Sequence, residues 1–219
     1  MYYYNSIGWI SLTKEFGKTA IDLFDRVIER CGCQMEEKKL RVLVALAAAL
    51  DKQGVVWAVG ASLLLYLKGI ATGFNDIDIV VATQDAQKAK DALSRLGQLA
   101  PQNPNVAYAT EHFYEYTVDG VEVDVMAGFT IRTPMGDYLY DFDKEAVWGH
   151  HTVAGAQIPL CFVEDWYLLY SLMPSRKTKT DMIEEHFRTA GVENPVRFKR
   201  QYSKLSKELV KRLESILKE

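Results

Sequence analysis

The sequence is poor in the residues that build disulfide frameworks and histidine metal centres. Its three cysteines, Cys31, Cys33 and Cys161, are an odd number without paired zinc-type spacing, so free reduced thiols are expected. Of its four histidines, the adjacent His150 and His151 would point to opposite faces of a strand, and His112 and His186 lack partners at ligand spacing. Structural zinc needs about four clustered ligands, which argues against a histidine-based site. Long hydrophobic runs are also missing: near the start the longest is Val42 to Leu50, far short of the roughly 20 residues of a membrane-spanning helix. The opening Met1-Tyr2-Tyr3-Tyr4-Asn5 has no positive region followed by an apolar stretch and a small-residue cleavage site. No signal peptide and no membrane association are therefore expected, and the expected compartment is the cytoplasm.

What is present is the composition of a folded domain. Hydrophobic residues at 48% and charged residues at 25% of 219 are ordinary values, enough for one filled core with or without a helical appendage. The net charge of −3 hides an asymmetry: from residue 176 onward there are 12 Lys/Arg against 7 Asp/Glu, and before it 14 against 22. The body is acidic and the tail basic.

The chain is organised around residues 55–81. Val55 to Val59 is a short β-branched run, Gly60-Ala61-Ser62 is a small-residue break, and the leucines after it suit a helix. A strand, tight turn and helix leave backbone N–H groups free where partial positive charge gathers, and small residues let a phosphate approach them. A second apolar run, Asp76-Ile77-Asp78-Ile79-Val80-Val81, carries two carboxylates two positions apart. On a strand these share one face while Ile77, Ile79 and Val81 take the other.

These stretches together resemble the nucleotidyltransferase superfamily built on the polymerase-β-like core, and within it the minimal, antibiotic-modifying and abortive-infection-toxin-type enzymes. The resemblance covers roughly Val55 to Ile183. The turn reads Gly60-Ala61-Ser62 where the family has adjacent Gly and Gly/Ser, so Gly60-Ala61 or Ala61-Ser62 is the matching pair; the spacing to Asp76 favours the later one, with Ser62 at the serine position. The resemblance implies a third acid on a later strand, and Asp124 in Val123-Asp124-Val125 fills that place. It implies that Asp76, Asp78 and Asp124 are catalytic and hold magnesium, that Gly60, Ala61 and Ser62 contact the β- and γ-phosphates of a nucleoside triphosphate, and that the acceptor is a small molecule, an RNA or a protein. An antitoxin partner or a homodimer is a further implication. Lys177-Thr178-Lys179-Thr180-Asp181-Met182-Ile183 resembles the family's Lys-Asp-x-x-Asp-Ile stretch with Thr178 in place of the first acid. There Lys177 would neutralise triphosphate or acceptor charge and Asp181 would orient it. Thr178-x-x-Asp181 also reads as a helix capping box with no catalytic role. The altered turn leaves a second functional class open, a binding module on a degenerate nucleotidyltransferase fold.

Along the chain, Thr19 to Arg30 and Glu36 to Gln53 read as a helical pair, with Gly54 leading directly into the first strand. Thr83 to about Leu96 reads as a helix ended by Gly97. Val106 to Ala109 and Phe113 to Val118 read as strands, and Asp119-Gly120 is a strong hairpin signal that would set Tyr116 opposite Val123 and Glu115 opposite Asp124. Glu115, Glu122 and Asp124 then share the polar face, which ordinary alternation of a half-wet hairpin also explains. Phe129 to Thr133 is expected to continue the sheet, a hairpin is expected around Ala154-Gly155, and a helix from Val163-Glu164-Asp165-Trp166 should end before Pro174. An amphipathic helix is expected over Ser203 to Leu217, with a cationic face that suits either solvent or RNA phosphates. Tyr138 to Phe142, Trp148 and Trp166 are the aromatic residues expected to line a small-molecule acceptor pocket. The expected fold is thus α+β: a nucleotidyltransferase core with a mixed sheet and N-terminal helices over 1–160, and a helical region over 161–219.

Overall fold

The computed structural model describes residues 34–101 and 108–218. The chain divides into two compact units, residues 1–38 and 39–219. In the first, residues 34–38 are helical; the helix expected over Thr19 to Arg30 and the Cys31-Gly32-Cys33 break lie outside the described residues.

The second unit opens with α1 (39–52), whose Val42, Leu43, Leu46, Ala47 and Leu50 recur at helical spacing and are all buried. Gly54 ends it with a left-handed backbone (φ 61°), its N–H donating to the Asp51 carbonyl. A mixed seven-stranded sheet follows, built from β1 (Trp57–Val59), β2 (Ile77–Val81), β3 (Gln98–Leu99), β4 (His112–Val118), β5 (Val121–Ala127), β8 (Val147–Val153) and β9 (Ala156–Cys161). Its strand order is β3-β4-β5-β2-β1-β9-β8. The interior strand β1 is apolar and buried at every position, as a strand covered on both faces must be. It pairs antiparallel with β2, while β2 runs parallel to β5.

Asp119 (φ 49°) and Gly120 (φ 72°) form the two-residue turn of the β4–β5 hairpin, both with positive φ as the matching strand twist requires. Its register sets Tyr116 opposite Val123 and Glu115 opposite Asp124, as the Asp-Gly signal predicts. Tyr114, Tyr116, Val118, Val121, Val123 and Val125 are buried on the other face. The hairpin at Ala154-Gly155 also forms, joining β8 and β9.

Two expectations change, and a third falls partly outside the described residues. Phe129 to Thr133 does not extend the main sheet: β6 (Thr130–Thr133) pairs with β7 (Gly136–Leu139) in a separate two-stranded sheet. Gly128 (φ 62°), just before β6, puts a left-handed turn between it and β5. Residues 102–107 lie outside the described residues, so of the strand expected over Val106 to Ala109 the structure shows a bridge between Tyr108 and Ile131. The C-terminal amphipathic segment is broken: α6 (Pro195–Gln201) gives way to a 3-10 turn, and α7 (Lys207–Ile216) starts only after Ser206, whose side chain accepts from the Leu209 N–H.

Between β1 and β2 lies α2 (Ala61–Leu67), and after β2 a 3-10 turn over Thr83–Asp85 enters α3 (Ala86–Leu93). The buried Asp85 carboxylate accepts from the Val56 N–H and from Lys88, tying that turn to the entry of β1. The helices α4 (Val163–Ser171) and α5 (Lys177–Ala190) complete the unit. Helix α4 packs on α2, α5 and α6, and α5 packs on α7. Among the described residues no helix is long and apolar enough to cross a membrane.

Candidate active site

The loop after β1, the start of β2 and the β4–β5 hairpin surround a cleft of about 1080 Å³. Ala61 and Ser62 line it from the first turn of α2; Asp76 and Asp78 line it from the entry and second residue of β2; Asp124 lines it from β5. The parallel register pairs Asp78 directly with Asp124, and the β-strand period puts Asp76 on the same side as Asp78. The three acids named from sequence therefore share one cleft.

Their charges act on one another. Burial first, then Asp76 and Asp124, hold the Asp78 carboxyl well above its ordinary value; Arg176 pulls it the other way. Asp124 is pushed up to about 6, by burial first and then by Asp76, Glu115 and Glu122. Among the described residues no group of three or more His, Cys, Asp and Glu is assembled to hold a metal ion by itself. Two carboxylates facing an open cleft could hold an ion that keeps water and phosphate oxygens as its other ligands.

The small-residue turn divides into three roles. Gly60 is extended (φ −121°), a conformation open to any residue, so its backbone does not demand glycine. Space does: a Cβ there would lie 2.1 Å from Cζ2 of Trp166, so the indole of α4 packs on the bare Cα. Ala61 holds a left-handed backbone (φ 46°), the conformation that favours glycine. The Ser62 hydroxyl is buried without a hydrogen-bond partner, on a residue that lines the cleft.

Lys177 and Asp181 are placed elsewhere. They form an exposed ion pair with each other along α5 (2.6 Å), Asp181 also meets Arg212, and neither lines the cleft. Nor does Thr178 cap the helix: Arg176 occupies the N-cap position and no side chain caps it. The cations that do line the cleft are Arg132, Arg176 and Lys179. Arg176 stands at the N-cap of α5 and Lys179 in its first turn, and neither was named as a site residue from the sequence. Of the expected acceptor-pocket aromatics only Trp166 lines the cleft. Tyr138, Tyr140 and Phe142 are core residues, and Trp148 lies under the Lys68 ammonium, 3.5 Å from its ring centre.

Trp166 is held by its neighbours in α4. Asp165 accepts hydrogen bonds from Tyr140 (2.9 Å) and Arg197 Nε (2.9 Å), and Glu164 accepts from the Asn194 N–H (2.6 Å). Both acids are buried, so the Glu-Asp start of α4 ties α6 and the segment before it to the helix carrying the cleft wall.

No protein-family model and no curated protein matches the chain. Solved structures do. The chain is similar to a Thermotoga maritima protein held to be a nucleotidyltransferase, at 25% identity and a TM-score of 0.55, over 70% of this chain and 94% of that one. It is similar in fold to the antibiotic-resistance factor ANT(2'')-Ia, at 11% identity and a TM-score of 0.52, over 76% of this chain and 94% of that one. With a mixed sheet that carries the Asp-x-Asp strand beside the strand of the third acid, the chain has the nucleotidyltransferase fold.

Proposed function

We propose that the chain transfers a nucleoside monophosphate from a magnesium-bound nucleoside triphosphate to the hydroxyl of an acceptor. The observation that carries this reading is the pairing of Asp78 with Asp124, with Asp76 beside them, in a cleft that also presents Arg176 and Lys179. The likeness to the Thermotoga maritima protein supports nucleotidyl transfer in general.

Asp76 and Asp78 would hold magnesium with Asp124 as a further ligand, and the bound ion would neutralise charge on the phosphate and attacking oxygens. Raised carboxyl pKa values fit that assignment, because like charges gathered without a cation disfavour ionisation. Arg176 and Lys179 bind the triphosphate oxygens. The orphaned Ser62 hydroxyl donates to one of them, which satisfies a buried polar group. Asp124 takes the acceptor proton, as a carboxylate beside the attacking oxygen can. Trp166 and Tyr170 wall the cleft and limit water.

The test is incubation of the chain with each α-labelled nucleoside triphosphate, with and without magnesium, in the presence of cell extract. Magnesium-dependent transfer of label to an acceptor fraction is expected. Magnesium-dependent binding without transfer to any fraction would instead mark a binding module, and binding indifferent to magnesium would remove the carboxylate assignment.

A further inference from the structure

Glu184, in the middle of α5, is where three helices meet. Its Oε1 accepts from the Tyr167 hydroxyl of α4 and lies 2.6 Å from Nη2 of Arg212 in α7. The same guanidinium is 3.8 Å from Asp181, which holds Lys177, so the two residues turned away from the cleft adjoin this junction. A carboxylate shared between a hydroxyl and a guanidinium makes charge-assisted bonds, stronger than neutral ones. The Glu184 side chain is 18% exposed, so salt screens it less than the outer pair of Lys177 and Asp181. Tyr167 is fully buried, its ring edge-on to Phe187 of α5 and Phe198 of α6 at 5.7 Å each. Burial first, then Glu184, holds its hydroxyl above the ordinary value, so it remains a donor.

The junction stands between the two halves of the triphosphate site. On one side Trp166, the residue before Tyr167 in α4, packs on the bare Cα of Gly60 and seats that helix against the 60–62 turn. On the other, Arg176 and Lys179 come to the cleft from the start of α5, which no side chain caps. The reach of both cations therefore follows from where the whole helix sits, and the bond from Tyr167 to Glu184 ties it to α4. Arg212 does not line the cleft.

We propose that Arg212 is a positioning residue of the triphosphate site: it holds Glu184 against Tyr167, and so fixes α5 on α4 with Arg176 and Lys179 at the distance the phosphates require. This rests on the nucleotidyl-transfer reading, in which those two cations bind the triphosphate. The basic C-terminal segment then serves the site through one arginine that never touches the nucleotide.

The experiment is calorimetry on the full chain, with magnesium and each of the four nucleoside triphosphates, beside denaturant unfolding of every variant. Arg212→Ala should weaken binding about tenfold, within the roughly hundredfold that a 1 Å misplacement can cost. Arg212→Lys should recover part of the loss. Lys211→Ala, which removes the same charge from an exposed neighbour in α7, should bind as the native chain does. Glu184→Gln keeps an acceptor for Tyr167 but not the charge that Arg212 meets, so it should share the loss, and it carries the test if Arg212→Ala does not fold. Because the effect passes through α5, Lys179→Ala with Arg212→Ala should lose less than the product of the two single losses. Native binding in Arg212→Ala and Glu184→Gln, whatever their stability, overturns the proposal and leaves nucleotidyl transfer standing. An equal loss in Lys211→Ala would make the effect one of net charge, and a full product in the double variant would make it independent of Lys179; either overturns it too. A native chain that binds no triphosphate removes the nucleotidyl-transfer reading itself, and this proposal with it.

Discussion

Asp78 and Asp124 face one another across two parallel strands, with no residue of opposite charge between them in the sheet. Burial first, then Asp76 and Asp124, raises the Asp78 carboxyl; burial first, then Asp76, Glu115 and Glu122, raises Asp124 to about 6 from an ordinary 3.8. A carboxyl whose folded value exceeds its unfolded one contributes stability that is present below the unfolded value and lost as pH rises through the folded value. Without a divalent cation, the protein should therefore lose stability between pH of about 4 and about 6. Asp124→Asn should flatten that part of the melting-temperature profile, and magnesium with triphosphate should raise the melting temperature more at pH 7 than at pH 5. An unchanged profile in Asp124→Asn would show that the repulsion is not felt at Asp124.

Gly60→Ala should be among the most damaging small substitutions in the chain. Its methyl would meet the buried Trp166 ring at 2.1 Å, where overpacking costs about 1–3 kcal/mol or more. Denaturant unfolding should show the loss, and Trp166→Phe in the same chain, which removes the offending part of the indole, should recover a share of it. Full stability of Gly60→Ala alone would mean that α4 shifts freely against the turn.

Ala61→Gly should act in the opposite direction. A left-handed Ala is strained by about 1–2 kcal/mol, partly offset by the extra entropy that glycine loses on folding. The expected net gain is about 0.5–1 kcal/mol, read as a higher unfolding midpoint.

The pair of Arg197 and Asp165 should be costly to break from one side. The two side chains are 12% and 5% exposed, and removal of one partner of a buried pair costs about 3–5 kcal/mol. Arg197→Ala should therefore unfold at a lower denaturant concentration, whereas Arg197→Met with Asp165→Leu should lose less than Arg197→Ala alone.

The parts of the site carried by strands were legible in the sequence because strand chemistry is periodic and local. The Asp-Gly turn fixes the register of β4 against β5, and that register alone puts Glu115 opposite Asp124. The neighbouring of β2 and β5, by contrast, came from the family resemblance, because parallel pairing leaves no local mark. Helix-borne parts were less legible. Arg176 and Lys179 reach the cleft through the angle at which the 3-10 turn at Pro174–Arg176 hands over to α5, and that angle is set by packing on α4 and α7. The same packing turns Lys177 and Asp181 outward into a pair of their own. The need for glycine at residue 60 was invisible for a similar reason, since it comes from a tryptophan more than a hundred residues away. The aromatic stretch from Tyr138 to Phe142 read as a pocket lining, but rings of that density are as readily core, and here they are.

The central claim is that Asp76, Asp78 and Asp124 act as one cation-dependent binding set for a triphosphate. Isothermal titration of a nucleoside triphosphate into the full chain, with magnesium and with chelator, tests it most directly when repeated on Asp78→Asn. The account predicts binding that requires magnesium in the native chain and is weakened by at least tenfold in the variant, whose unfolding midpoint stays equal or rises. Binding that is equally tight with chelator, or unchanged in Asp78→Asn, would contradict it.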